Sequence, residues 1–116
     1  MLDKPLSQFH VTDFDAPWAR AHLAADGSYG QDVYGPGLHQ FQEHIGPDNL
    51  IYCAWFSAGL RVIDISDPAA PREIASYLPR PAPGFSAPQT NDVDVDDRGI
   101  IYLIDRESGL DIVELV

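Results

Sequence analysis

The sequence predicts an all-β chain of about two four-stranded antiparallel units, with one short helix in an insertion. Three observations carry that expectation. The chain repeats itself at an offset of 50 residues, each repeat alternates short apolar strands with turn residues, and its acids are of the turn-forming kind. Of the 18 acidic residues 14 are Asp and four are Glu, and Lys4 is the one lysine. Asp favours caps and turns whereas Glu and Lys cover helix surfaces, so a helical bundle is disfavoured.

The repeat needs no gap. Asn49-Leu50-Ile51-Tyr52-Cys53-Ala54 falls over Gly99-Ile100-Ile101-Tyr102-Leu103-Ile104, and Ser57 to Ile65 falls over Glu107 to Leu115 with Gly59/Gly109 and Leu60/Leu110 identical. Leu50–Phe56 and Ile100–Asp105 are rich in β-branched and aromatic residues and read as strands. Ala58-Gly59 and Ser108-Gly109 are hairpin-turn dipeptides, and Leu60–Ile65 and Leu110–Leu115 are the strands that follow them. Asp67-Pro68 and Ala70-Pro71 end the pairing, because proline donates no ladder hydrogen bond. Glu73–Leu78 is the outer strand of the first unit, and Leu38–His44 and Asn91–Val95 are the innermost strands of the two.

Four strands in about fifty residues lie slightly above the spacing of propeller blades, which makes the predicted fold a partial β-propeller. Residues 1–11 hold a free strand of the outer type, Pro5–Val11, and residues 12–37 form an insertion. In that insertion Asp15 caps a short helix that Gly27 ends, and a glycine-rich loop follows. Residues 38–88 are the first blade with its proline-rich connection, and residues 89–116 the second blade without its outer strand. The apolar positions common to the repeats predict a core of Ile51, Cys53, Leu60, Val62, Ile74, Val93, Ile101, Leu103, Leu110 and Ile112.

The 116 residues are one domain's worth, and their net charge of −11 excludes some partners. Nucleic acid and anionic membrane surfaces would both be repelled. No apolar run is long enough to span a bilayer as a helix, so membrane insertion is not expected. Met1 to His10 lacks the basic start and apolar stretch of a secretory signal. Localisation stays open: cytoplasmic by default, exported if the chain is a fragment of a longer one. The single Cys53 excludes an intrachain disulfide and a CxxC zinc site, and reads as a small hydrophobe within a strand.

The run Ala58-Gly59-Leu60-Arg61-Val62-Ile63-Asp64-Ile65-Ser66-Asp67-Pro68, with Pro71-Arg72-Glu73-Ile74 after it, resembles the LVIVD-repeat β-propeller proteins. Gln89 to Tyr102, Asp105-Arg106 and Gly109-Leu110 look like the closing blade of such proteins. The resemblance covers about Leu38 to Val116 and implies the C-terminal end of a longer, many-bladed chain. It implies no activity, since most members have none assigned.

Two groups of residues are candidates for chemistry. His39, Glu43 and His44 offer ligands for a transition metal, and the resembled family often shows two histidines here, at i and i+3, followed by an acid. Gln42 stands where the second histidine would be, and on a regular strand His39 and His44 face opposite ways, so convergence needs a bulge or turn. The bland alternative is a pair of polar strand residues near the blade mouth. Asn91, Asp92, Asp105 and Arg106 form the second group, a polar site for an unknown small ligand at the channel mouth. Its alternative is a structural network within the blade that satisfies buried polar groups. The acidic run Asp92 to Asp97 does not suit calcium, because alternation sets Asp92, Asp94 and Asp96 along one strand face with no bidentate Glu following.

The sequence therefore predicts a repeat module with a binding or assembly role. A metal-dependent enzyme fragment around His39, Glu43 and His44 is the alternative. Two blades cannot close a ring, so self-association, or docking on propeller blades supplied from elsewhere, is expected.

Overall fold

A computed structural model describes residues 4–11 and 37–116. Among them lie seven strands: β1 (Gln40–Phe41), β2 (Leu50–Ala54), β3 (Leu60–Asp64), β4 (Arg72–Tyr77), β5 (Thr90–Val95), β6 (Ile100–Asp105) and β7 (Gly109–Glu114). They form two antiparallel sheets, β1-β2-β3-β4 and β5-β6-β7, and no described residue is helical. The helix predicted after Asp15 lies outside the described residues.

The fifty-residue repeat holds at the level of individual pairs. Leu50↔Asp64, Tyr52↔Val62 and Ala54↔Leu60 in the first sheet become Ile100↔Glu114, Tyr102↔Ile112 and Ile104↔Leu110 in the second. The turns before β2 and β6 match too. Asn49 and Gly99 both take a left-handed backbone, at φ 56° and 81°. Glycine and asparagine are the residues that adopt this conformation at least cost.

Because strand side chains alternate, each sheet has two faces. The front of the first sheet carries Tyr52, Ala54, Leu60 and Val62, which pack on Val93, Ile101 and Leu103 of the second sheet's back to make the main core. The back of the first sheet carries Cys53 and Ile63 and is sealed in part by Phe9 and Val11. Phe9 meets Trp55 edge-on, with centroids 6.1 Å apart, and the Ser7 hydroxyl donates to the Pro68 carbonyl at 2.7 Å. Among the described residues, the predicted strand Pro5–Val11 joins neither sheet; Phe9 and Val11 cover a face instead.

Three predicted core residues lie at the surface. Ile74 is the extra residue of a bulge in β4, so it falls outside the alternation. Leu110 and Ile112 sit on the front of the second sheet, against which no described element packs. Ile51 is only half buried, whereas Cys53, Leu60, Val62, Val93, Ile101 and Leu103 are core.

The innermost strand of the first sheet is shorter than Leu38–His44 suggested, for a specific reason. The side chain of Gln42 replaces the ladder: its Oε1 accepts from Tyr52 N at 2.9 Å, and its Nε2 donates to Leu50 O at 2.8 Å. One buried amide satisfies two backbone groups that a longer β1 would have served.

Candidate functional site

The two innermost strands, β1 and β5, lie side by side and bring one residue of each candidate group together. A bulge leaves Asn91 out of the β5–β6 ladder, and its carbonyl oxygen accepts a 2.7 Å hydrogen bond from His39 Nδ1. That bond fixes the histidine tautomer as Nδ1–H, and the ring leans on Phe56 with centroids 5.0 Å apart. Phe56 in turn bridges to Thr90, whose N–H donates to Phe56 O at 3.2 Å. His39 therefore ties the start of β1 to the start of β5.

His44 lies at the other end of the pair. It lines a cavity of about 370 Å³ with Gln42, Asp48, Tyr52, Asp96 and Asp97, beyond the last residue of β5. Five residues of strand separate Asn91 from Asp96, roughly 16 Å at 3.3 Å each. A metal binds its ligands at about 2 Å, so His39 and His44 are not brought to one ion. Glu43 stays beside His44, at 3.9 Å between carboxylate and ring, with both side chains solvent-exposed. No three His, Cys, Asp or Glu side chains converge on a metal position among the described residues.

In the second group, Asp105 spends its carboxylate on the backbone. It accepts from Gln89 N at 2.5 Å through Oδ2, and from Glu107 N and Ser108 N at 2.9 and 3.0 Å through Oδ1. The buried acid thus shapes the β6–β7 turn and holds the chain entering β5. Trp55 occupies the matching position in the first sheet, where its carbonyl closes the turn on Ala58 N at 2.7 Å. Asp92 turns its carboxylate onto Val93 N at 2.8 Å, and Arg106 is tied through its backbone N–H to Gln89 O at 3.0 Å.

Sequence reasoning passed over a third cluster. Arg98 Nη2 lies 2.6 Å from Asp96 Oδ2, and Tyr102 Oη donates to the same oxygen at 3.0 Å. These bonds, Arg98 foremost, hold the Asp96 carboxyl down to about pKa 2. The signal was legible as an acid, a base and a tyrosine around a glycine turn. By contrast, burial pushes the Cys53 thiol up to about 12, so it carries no thiolate chemistry near neutrality.

The first sheet's outer hairpin carries the recognisable pattern. Leu60 and Val62 face forward, while Arg61 and Ile63 face back. Asp64 closes the strand by accepting from Ser66 N and pairing with Arg72, both at 2.8 Å. The β4 bulge swings Glu73 onto Arg61, and the guanidinium meets the carboxylate at 3.0 Å with only 5% of the arginine side chain exposed.

Residues 48–78 match the LVIVD repeat.

Neither the curated proteins nor the solved structures hold a match to the chain. The LVIVD repeat spans β2, β3 and β4 together with the turn that leads into them. The second sheet stands beside it through the shared fifty-residue register. In the LVIVD repeat the apolar letters are packing positions on the two sheet faces, and the acid is a turn closer.

Proposed function

We propose that the chain is a partial β-propeller of the LVIVD type, acting as a binding or assembly module without catalytic turnover. One observation carries the reading: the second sheet repeats the design of the first, yet its front, with Ile104, Leu110 and Ile112, is exposed. An apolar sheet face of this kind is normally covered by a neighbouring sheet or a partner. His39, Asn91 and Asp105 support the same view, because their hydrogen bonds join strands and turns within the structure.

Two measurements on untagged protein test this. A dye that fluoresces on apolar surfaces should bind the wild type and bind Ile112→Asp markedly less. Metal analysis and broad hydrolase and oxidoreductase assays should find neither a stoichiometric transition metal nor turnover. A bound metal and an activity that both vanish in His39→Ala would replace the module with an enzyme centred on that histidine.

A further inference from the structure

We propose that the open front of the second sheet docks on the back of the first sheet of a second copy of this chain, head to tail. The proposal rests on the module reading above and names the occupant. The interface between the two sheets shows what such a front packs against. There, a front made of Ala54, Leu60 and Val62 is covered by a back made of Val93, Ile101 and Leu103. Adding fifty to each front residue gives Ile104, Leu110 and Ile112, which form the front of the second sheet in the same register. The sealed set is 0, 2 and 1% exposed; its counterpart is 47, 57 and 60% exposed. The same pattern of apolar positions in the same strand register calls for the same kind of cover, namely the back of another such sheet.

The chain carries part of that complement on the back of its first sheet. The back of the first sheet places Ile51, Cys53 and Ile63 where the second sheet's back places Ile101, Leu103 and Val113. Phe9 and Val11 cover part of it. What remains is an apolar cavity of about 320 Å³ lined by Leu38, Phe41, Ile51, Ile63 and Phe9, with Leu38 and Phe41 half exposed at its rim. Cys53 and Ile63 are buried beneath Phe9 and Val11, so the receiving surface is the cavity and its rim, Leu38, Phe41 and half-buried Ile51. A bare front on one side of the molecule can meet that rim on the other side of a second copy. The contact is therefore heterologous, and repeated contacts either close into a ring or extend. The charge of −11 per chain opposes the contact at low salt, so screening should strengthen it.

The experiment is sedimentation velocity on the full chain across protein concentration and salt. The wild type should exceed the 12.8 kDa monomer at least twofold, and the larger species should grow with added salt. Ile112→Asp loses the front and Phe41→Asp loses the back; both positions are exposed, so each variant should keep the wild-type circular dichroism and sediment as a monomer. Leu110→Lys, elsewhere on the same front, guards against a misfolded Ile112 variant and should behave alike. Mixing Ile112→Asp with Phe41→Asp should restore a two-chain species and nothing larger, since each supplies the face the other lacks. A Phe41→Asp protein that still self-associates while Ile112→Asp does not would mean front-to-front pairing and would overturn the proposal. A monomeric wild type that still loses dye binding in Ile112→Asp would overturn the second copy as occupant and leave the module reading standing. A monomeric wild type with no dye binding would end both.

Discussion

Leu60 and Leu110 occupy the same place in two sheets of the same design, with partners Ala54 and Ile104 across the ladder. The first is sealed beneath a neighbouring sheet, and the second faces solvent. What separates them is not the strand but the presence of a covering sheet. The LVIVD pattern thus specifies a surface suited to burial, and burial itself depends on what stands opposite. A similar contrast runs through the turns. Gly59 and Gly109 both have positive φ, at 72° and 102°. A Cβ on Gly59 would collide with the Tyr77 carbonyl oxygen at the end of β4, whereas one on Gly109 would meet nothing.

Substitutions at matched positions should read out this asymmetry. The largest difference is expected between Leu60→Ala and Leu110→Ala. The first leaves a cavity in the main core and should cost about 3 kcal/mol. The second should stay within about 0.5 kcal/mol when measured on the monomer by denaturant unfolding. Equal costs would show that the second front is covered already. Gly59→Ala should destabilise by about 3 kcal/mol, combining left-handed strain with a steric clash, while Gly109→Ala should carry the strain alone, about 1–2 kcal/mol.

Cys53 gives a kinetic measure of the first sheet. It is buried and its thiol is pushed up to about 12, so a thiol reagent at neutral pH should label it only through opening of the sheet. Labelling in native buffer as fast as in denaturant would contradict the packing of Phe9 and Val11 over that face.

The smallest effect should come from acid. Folded Asp96 resists protonation down to about pH 2, against an ordinary value of 3.8. The unfolded chain therefore takes the proton first, and the stability this group adds is complete above about pH 4 and lost as pH falls towards 2. Asp96→Asn should flatten that part of the stability profile. The position fifty residues earlier is Gly46, so the matching turn of the first sheet holds no carboxyl to titrate there.

Much of this architecture could be read from the chain. Alternation, the Gly59 and Gly109 turns and the fifty-residue offset locate both hairpins, because each is a local pattern with a local cause. Faces were harder. Leu110 and Ile112 are as apolar as Leu60 and Val62, and no property of a strand announces whether a neighbour is present. Ile74 was misplaced because a bulge shifts the alternation by one residue, and nothing in Arg72-Glu73-Ile74-Ala75 signals it. Gln42 appeared as a departure from a histidine pattern and proved to be a side chain standing in for a strand. Asp105 and His39 each carried a ligand reading and a structural one, since a carboxylate and an imidazole suit both. Their hydrogen bonds to backbone groups depend on the approach of β1, β5 and the β6–β7 turn, which only the folded chain defines.

The stacking of front upon back has a consequence for how such a chain changes over generations. An interface that always joins a front to a back reproduces both of its surfaces whenever one unit is copied. A tandem duplication that inserts a further unit in the proline-rich connection, between Pro79 and Pro88, would meet a front on one side and a back on the other, with no new contact to be invented. Loss of a unit would leave the same two ends exposed. Each added junction would repeat the contact that Ala54, Leu60 and Val62 already make with Val93, Ile101 and Leu103.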